Sequence, residues 1–225
     1  MRALVTAYGD LNRDAPAHPA LTVLDLLRGY AHDCLHYGSY RSYQLSGGEV
    51  VRTHYGVNFR RGTGRSYSPP DATNSPTTHN LGTVMEGACD REARSLTRQA
   101  AALHGITART GRGTTDRFAF RDVTGQLNAV DTAALGSASP EAGPDCAAYL
   151  AAMGRYETGV NTRYGAFLDE IGRAEATGLH ATILHSVISG DTATLCAWLN
   201  RRHGPGAFTA LFLARDSFGL PQPAA

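Results

Sequence analysis

Two histidines and an aspartate stand at a spacing that suits metal chemistry, in the segment His32-Asp33-Cys34-Leu35-His36. Residues four apart lie one above the other on one face of an α-helix, so the imidazoles of His32 and His36 can converge on one ion. Imidazole is the commonest side-chain ligand of transition metals, Zn²⁺ among them. The pair therefore predicts half of a metal site, with Zn²⁺ as the expected ion.

The segment around these histidines is predicted to be helical. Apolar residues recur at spacings of three and four: Leu21, Leu24, Leu27, Ala31 and Leu35. This is the pattern of a helix with one buried stripe, and Gly38 is a typical C-terminal stop. His32 and His36 each follow a stripe residue by one position, so we expect them beside the buried face, at the wall of a cleft.

A second predicted helix, from about Asn80 to Gly105, offers acidic partners for this pair. It contains Met85-Glu86-Gly87-Ala88-Cys89-Asp90. A catalytic zinc site needs three protein ligands and one open position for water or substrate, so one further ligand must come from outside the histidine helix.

The histidine segment resembles the His-Glu-x-x-His motif of zincins, in which the acidic residue is the general base. Asp33 occupies that position. With Glu86-Gly87 and Asp90 included, residues 21–104 resemble the gluzincin branch of the zinc metallopeptidases. The resemblance implies Glu86 as the third ligand beside His32 and His36. It implies Asp90 as an outer carboxylate that orients a ligand.

The implied activity is zinc-dependent hydrolysis, with a peptide or small amide as substrate and metal-activated water as the nucleophile. Asp33 departs from the family pattern, because an aspartate is one methylene shorter than a glutamate and reaches about 1.5 Å less far. Metal binding is therefore the firmer prediction. His54 and Tyr55 are candidates for hydrogen bonds to an oxyanion or to substrate.

Two alternatives remain open at this point. The His32-Asp33 doublet also resembles that of HD-type metal phosphohydrolases, in which His18 would be the earlier histidine and Asp90 the later aspartate. The other alternative is a non-catalytic helical module that binds metal or a partner, in which the histidines mainly pack.

The predicted fold class is α+β, mainly helical and zincin-like, with a small antiparallel sheet between the two metal-ligand helices. Residues 40–67 alternate in the manner of hairpins and contain glycine turns. The segment 117–123 resembles a strand. The whole chain, 1–225, is predicted as one domain, composed of a lead-in (1–19), a metal-site region (20–105) and a mainly helical C-terminal part (106–225).

Composition limits the partners and the compartment. The net charge of +1 argues against nucleic acid and anionic membranes, and no segment has the roughly 20 apolar residues that a membrane-spanning helix needs. The cysteines form no Cys-x-x-Cys pair, which favours free thiols in a reducing compartment. We therefore expect a cytoplasmic protein, and the sequence leaves its oligomeric state open.

Overall fold

The structure is a computed structural model that describes residues 19–108, 114–136 and 151–213. The predicted lead-in lies outside this range except for Pro19, and so does His18. The described chain is mainly helical with one three-stranded antiparallel sheet between the first two helices, which confirms that part of the predicted fold class. No helix in these ranges combines the length and the apolar character needed to cross a lipid bilayer.

Eight α-helices and three strands are labelled here in chain order. Their bounds are α1 Pro19–Gly38, β1 Arg41–Ser46, β2 Glu49–Tyr55, β3 Asn58–Phe59, α2 Leu81–Leu103, α3 Thr114–Val123, α4 Ala129–Gly136, α5 Thr162–Phe167, α6 Ala176–Ser189, α7 Thr192–His203 and α8 Ala207–Phe212. Residues 151–156 are also α-helical. Two π-helical turns, Glu157–Asn161 and Leu168–Gly172, flank α5, and the 3₁₀ turn Arg173–Glu175 precedes α6.

The chain forms two compact units. Of the described residues, one unit comprises those up to 35 and those between 89 and 161, and the other comprises those between 36 and 88 and those from 162 to 213. Both borders fall inside helices, so α1 and α2 each contribute to both units.

The first unit has an apolar core to which α1, α2 and α3 contribute. Its buried residues are Leu21, Leu24, Ala101, Phe118, Ala119, Val123 and Met153. Each large apolar side chain that is fully buried contributes about 1.5–3 kcal/mol. The strand predicted for 117–123 is wrong, since Thr114–Val123 is a helix. Its buried positions 118, 119, 122 and 123 follow a helical rather than an alternating pattern.

In the second unit, glycines close the predicted hairpin. Gly47 and Gly48 both have positive φ, as a two-residue turn between twisted antiparallel strands requires, and they join β1 to β2. Gly56 begins the next turn, and a Cβ there would lie 2.6 Å from the Sδ of Met85. This close approach sets the end of β2 against the first turns of α2.

Helix α2 begins after Asn80, whose side-chain oxygen accepts a hydrogen bond from the backbone amide of Thr83 at 3.0 Å. This contact satisfies one of the free amides of the first turn. Gly105, with φ +62°, follows the helix where a left-handed residue is common. The helix therefore starts and stops close to the predicted positions. In the C-terminal part, α6 packs against the second π-helical turn and α7, and α7 packs against α8.

Candidate metal centre

The two histidines lie on the last two turns of α1, as predicted. Their side chains are about one-fifth exposed, at 19% for His32 and 20% for His36. The Nε2 atoms of both rings are shielded from solvent. Each ring therefore has its Nε2 on the protected side, and this is a nitrogen through which imidazole commonly binds a metal.

The side chain of His36 has a different neighbour at each ring nitrogen. Its Nε2 lies 3.0 Å from Oε2 of Glu86, and its Nδ1 lies 3.1 Å from the Tyr55 hydroxyl. That hydroxyl is also 3.2 Å from the backbone carbonyl oxygen of His36, to which it donates. Because its proton is directed to the carbonyl, the Tyr55 oxygen is placed to accept from Nδ1–H. At 3.0 Å from the Glu86 carboxylate, Nε2 is placed to donate a proton to it in the absence of an ion, and a metal ion bound by both groups would replace that proton.

His32, His36 and Glu86 together form a group with the composition of a metal site. Each offers one ligand atom, and these atoms all lie within 4.8 Å of one another. Zinc bonds to histidine nitrogen and carboxylate oxygen are about 2.0–2.2 Å long, so two ligands of one ion are at most about 4.4 Å apart, and any pair of atoms near the 4.8 Å limit must move closer by a few tenths of an ångström to bind zinc together. The donor set of two imidazoles and one carboxylate fits Zn²⁺.

Asp33 lies on the exposed side of α1. Its side chain is 53% exposed, and its Oδ1 lies 3.6 Å from Nδ1 of His32. In this position the carboxylate faces the nitrogen opposite the shielded Nε2. At 3.6 Å the two groups are in electrostatic contact but are too far apart for a hydrogen bond.

The two residues predicted to contact an oxyanion or substrate have different surroundings. Tyr55 contacts His36 through its hydroxyl, as described above. His54 stacks on Phe59 with ring centroids 4.1 Å apart and meets the edge of the Tyr40 ring at 5.0 Å. Burial lowers the pKa of His54 below the usual value for histidine. His54 is therefore placed as part of an aromatic cluster of the sheet.

Asp90, the predicted outer carboxylate, is 1% exposed and binds two arginines. Its Oδ1 accepts from NH2 of Arg28 at 2.7 Å, and its Oδ2 lies 2.8 Å from Nε of Arg94. Burial acts to raise the pKa of this carboxyl, but the charges of Arg28 and Arg94 hold it below its usual value. Both oxygens thus contact guanidinium groups, which does not favour Asp90 as the late metal ligand of an HD-type site.

Those arginines extend into a buried charge network that sequence reasoning missed. Arg94 also binds Asp122 at 2.6 Å and Glu157 at 2.9 Å, and Arg28 reaches Asp122 at 3.5 Å. Burial raises the pKa of Asp122 despite the two guanidinium groups. Only the Asp90–Arg94 pair had a signal in the sequence, namely its spacing of four on one helix. The other partners are 28 to 94 positions apart.

Packing explains the glycine that follows Glu86 in the gluzincin-like motif. A Cβ on Gly87 would lie 2.5 Å from Cβ and Cγ of Tyr164, closer than real Cβ atoms approach. Tyr164 is buried, and its hydroxyl lies 2.9 Å from Nδ1 of His180. Gly87 therefore allows Tyr164 to pack against α2 directly beside Glu86.

Comparisons with protein-family models, with curated proteins and with solved structures found no match to this chain.

Proposed function

We propose that this protein is a zinc-dependent hydrolase of the zincin type, with His32, His36 and Glu86 as the metal ligands. One observation carries the proposal: three residues of the right chemistry, on two helices, bring their ligand atoms within 4.8 Å of one another. All three side chains are partly exposed, which places the group near the surface and not in the core. A bound Zn²⁺ supplies a Lewis acid that lowers the pKa of a water ligand to about 7.

The remaining residues have roles that follow from their contacts. Tyr55 holds His36 so that Nε2 is the ligand atom. The Asp33 carboxylate accepts the proton that the attacking water loses. Its exposed side chain has the freedom to turn from Nδ1 of His32 toward that water. The substrate class that accompanies such a site is a peptide or a small amide, as in the gluzincins that the motif resembles.

Metal content tests the site itself. We expect about one equivalent of zinc in protein purified without chelator, and we expect its loss in His36→Ala and Glu86→Gln. The matched control is His185→Ala, because His185 is an exposed histidine on α6 and does not belong to the group. Circular dichroism spectra like those of the parent protein show that a variant has folded. A parent protein without zinc, even after incubation with the metal, would refute the site.

Hydrolysis tests the activity separately. The zinc-loaded protein is expected to cleave fluorescein-labelled casein or a small amide substrate. Asp33→Asn is expected to keep its zinc but to lose about 100-fold in rate, which is typical for the loss of a general base. Zinc binding without hydrolysis of either probe would overturn the hydrolase and leave a metal-binding module. An unchanged rate in Asp33→Asn would remove Asp33 from the reaction.

A further inference from the structure

Positive charge is concentrated in one short part of the chain. Residues 40–67 contain five arginines and one glutamate, a net +4, whereas the chain as a whole is at +1. The remaining residues therefore have a net charge of −3. The small net charge of the whole molecule conceals a strongly basic segment that coincides with the three-stranded sheet and the loop after it.

The arginines of this segment lack acidic partners in the part of the chain that the structure describes. Elsewhere, several arginines pair with carboxylates, among them Arg28, Arg94, Arg121, Arg163 and Arg202. In the segment, Arg41 donates to backbone carbonyls at the end of α1 and is thereby satisfied. The Nε of Arg60 is shielded from solvent without a hydrogen-bond partner. Arg61 and Arg65 form no ion pair within the described ranges.

In the loop after β3, Arg61 and Arg65 line a cavity. The backbone amide of Arg61 donates to the carbonyl of Arg65, and that of Gly64 donates to the carbonyl of Arg61, both at 2.8 Å. The two arginines thus stand at the two ends of a tight turn. They line an open cavity of about 750 Å³ together with Thr63, Ser66, Tyr67 and Pro69. Ligand sites in proteins have volumes of about 300–1,000 Å³.

The lining combines two kinds of recognition. Guanidinium groups bind phosphate oxygens with charge-assisted, often bidentate hydrogen bonds. Tyr67 is 43% exposed, and the guanidinium of Arg61 lies over its ring, 5.0 Å from the centroid. Exposed aromatic rings and guanidinium planes are the surfaces on which nucleic-acid bases stack. No acidic residue lines the cavity.

A second arginine-lined cavity, with Arg173, Arg201 and Arg202 in its wall, lacks this combination. Arg201 and Arg202 lie in the last turn of α7, where positive charge is favoured by the helix dipole. Arg202 also pairs with Glu175. No tyrosine, phenylalanine or tryptophan lines that cavity, and the His203 ring in its wall is held by a contact of its Nε2 with the carbonyl oxygen of Ile171 at 3.0 Å.

We propose that the cavity formed by Arg61, Arg65 and Tyr67 binds a nucleotide, with its phosphate on the two arginines and its base on the tyrosine ring. The ligand is either a free nucleotide or one nucleotide of a single strand. The inference is independent of the metal centre, since no cavity residue belongs to the metal-ligand group.

Calorimetric titration of the full chain with 5′-AMP, adenosine and inorganic phosphate at low salt tests the proposal. We expect 5′-AMP to bind more tightly than either of its two parts. Arg61→Gln/Arg65→Gln should weaken 5′-AMP binding on the order of tenfold or more, because hydrogen bonds to a charged group are lost. The control is Arg91→Gln/Arg155→Gln, which removes the same charge from exposed positions outside both cavities and should leave the affinity unchanged.

The tyrosine has its own pair of variants. Tyr67→Ala should weaken 5′-AMP binding but not phosphate binding, and Tyr67→Phe should retain the parent affinity because the ring remains. These two variants test the site even if the double arginine variant fails to fold. Competition by a single-stranded oligodeoxyadenylate indicates a strand as the source, and its absence indicates a free nucleotide. Absence of 5′-AMP binding, equal affinity for phosphate and 5′-AMP, or an equal loss in the control would overturn the proposal.

Discussion

The two ring nitrogens of His36 have different neighbours, and this difference decides which of them can bind a metal. The Tyr55 hydroxyl lies at Nδ1, and the Glu86 carboxylate lies at Nε2. Hydrogen bonds of this kind orient histidine ligands and raise their basicity.

The Tyr55 contact leads to a prediction about zinc affinity. Tyr55→Phe keeps the ring but removes the hydroxyl, so we expect zinc to bind about 10-fold more weakly, which is the lower end of such effects. Competition with a chromophoric chelator measures this change. Tyr43→Phe is the matched control, since Tyr43 lies on β1 with a largely exposed side chain. Equal affinity of the parent protein and Tyr55→Phe would show that the hydroxyl does not position the ligand.

The ligand candidates could be predicted from the sequence because their signals are local. The spacing of His32 and His36 implies a shared helix face, and Glu86 stands in a short pattern that resembles a known motif. The contact of Tyr55 with His36 could not be predicted as such. It depends on how β2 folds back toward the end of α1, and no spacing of residues encodes that.

At the scale of elements, Arg28 and Asp90 join the two helices that carry the candidate ligands. Arg28 lies one turn before His32 on α1, and Asp90 lies one turn after Glu86 on α2. Their side chains meet at 2.7 Å and are almost completely buried. The ion pair therefore constrains the register of α1 against α2 one turn away from the ligands.

Removal of the Asp90 charge should destabilise the protein strongly. Asp90→Asn leaves Arg28 and Arg94 with less compensation in a buried setting, and breaking such a pair typically costs about 3–5 kcal/mol. Urea unfolding followed by circular dichroism measures the free energy of unfolding. Arg91→Gln, at the next and exposed position of α2, should change it by less than about 0.5 kcal/mol. A similar small change in Asp90→Asn would mean that the network contributes little to stability.

Element prediction succeeded where a periodic pattern was long and failed where it was short. α1 and α2 each have several turns of regular spacing, and both were predicted. In α3 the apolar Phe118 and Phe120 suggest alternation over a few residues, although only Phe118 is fully buried. The helix is stabilised by tertiary burial of one face, and a seven-residue window does not reveal that.

At the scale of the whole molecule, the net charge does not show how charge is distributed along the chain. The net charge of +1 argued against nucleic acid and anionic membranes, yet segment 40–67 has a net charge of +4 that acidic residues elsewhere in the chain offset. In the first unit, likewise, charged side chains form a buried network next to an apolar core, and the net charge of the chain does not reveal this. Both features affect how the molecule responds to its solution conditions.

The response of stability to pH is one case, and Asp25 on α1 contributes to it. This side chain is 5% exposed, and burial raises the pKa of its carboxyl to about 7, with Arg28 opposing the rise and Asp122 adding to it. In the unfolded chain the pKa of an aspartate is about 3.9. Between these two values the folded state holds more protons than the unfolded state, so the free energy of unfolding falls as the pH rises.

The stability contributed by the protonated Asp25 is therefore present below about pH 4 and lost as the pH approaches 7, at about 1.4 kcal/mol for each unit of the pKa difference. Asp25→Asn mimics the neutral form and should be more stable than the parent protein at pH 8 but similar to it at pH 4. Urea unfolding at a series of pH values gives the free energy of unfolding of both proteins as a function of pH. Subtracting one curve from the other removes the contribution of every group whose titration the substitution leaves unchanged. A difference that does not change between pH 4 and 8 would show that Asp25 is ionised in the folded protein throughout, with Arg28 outweighing the effect of burial.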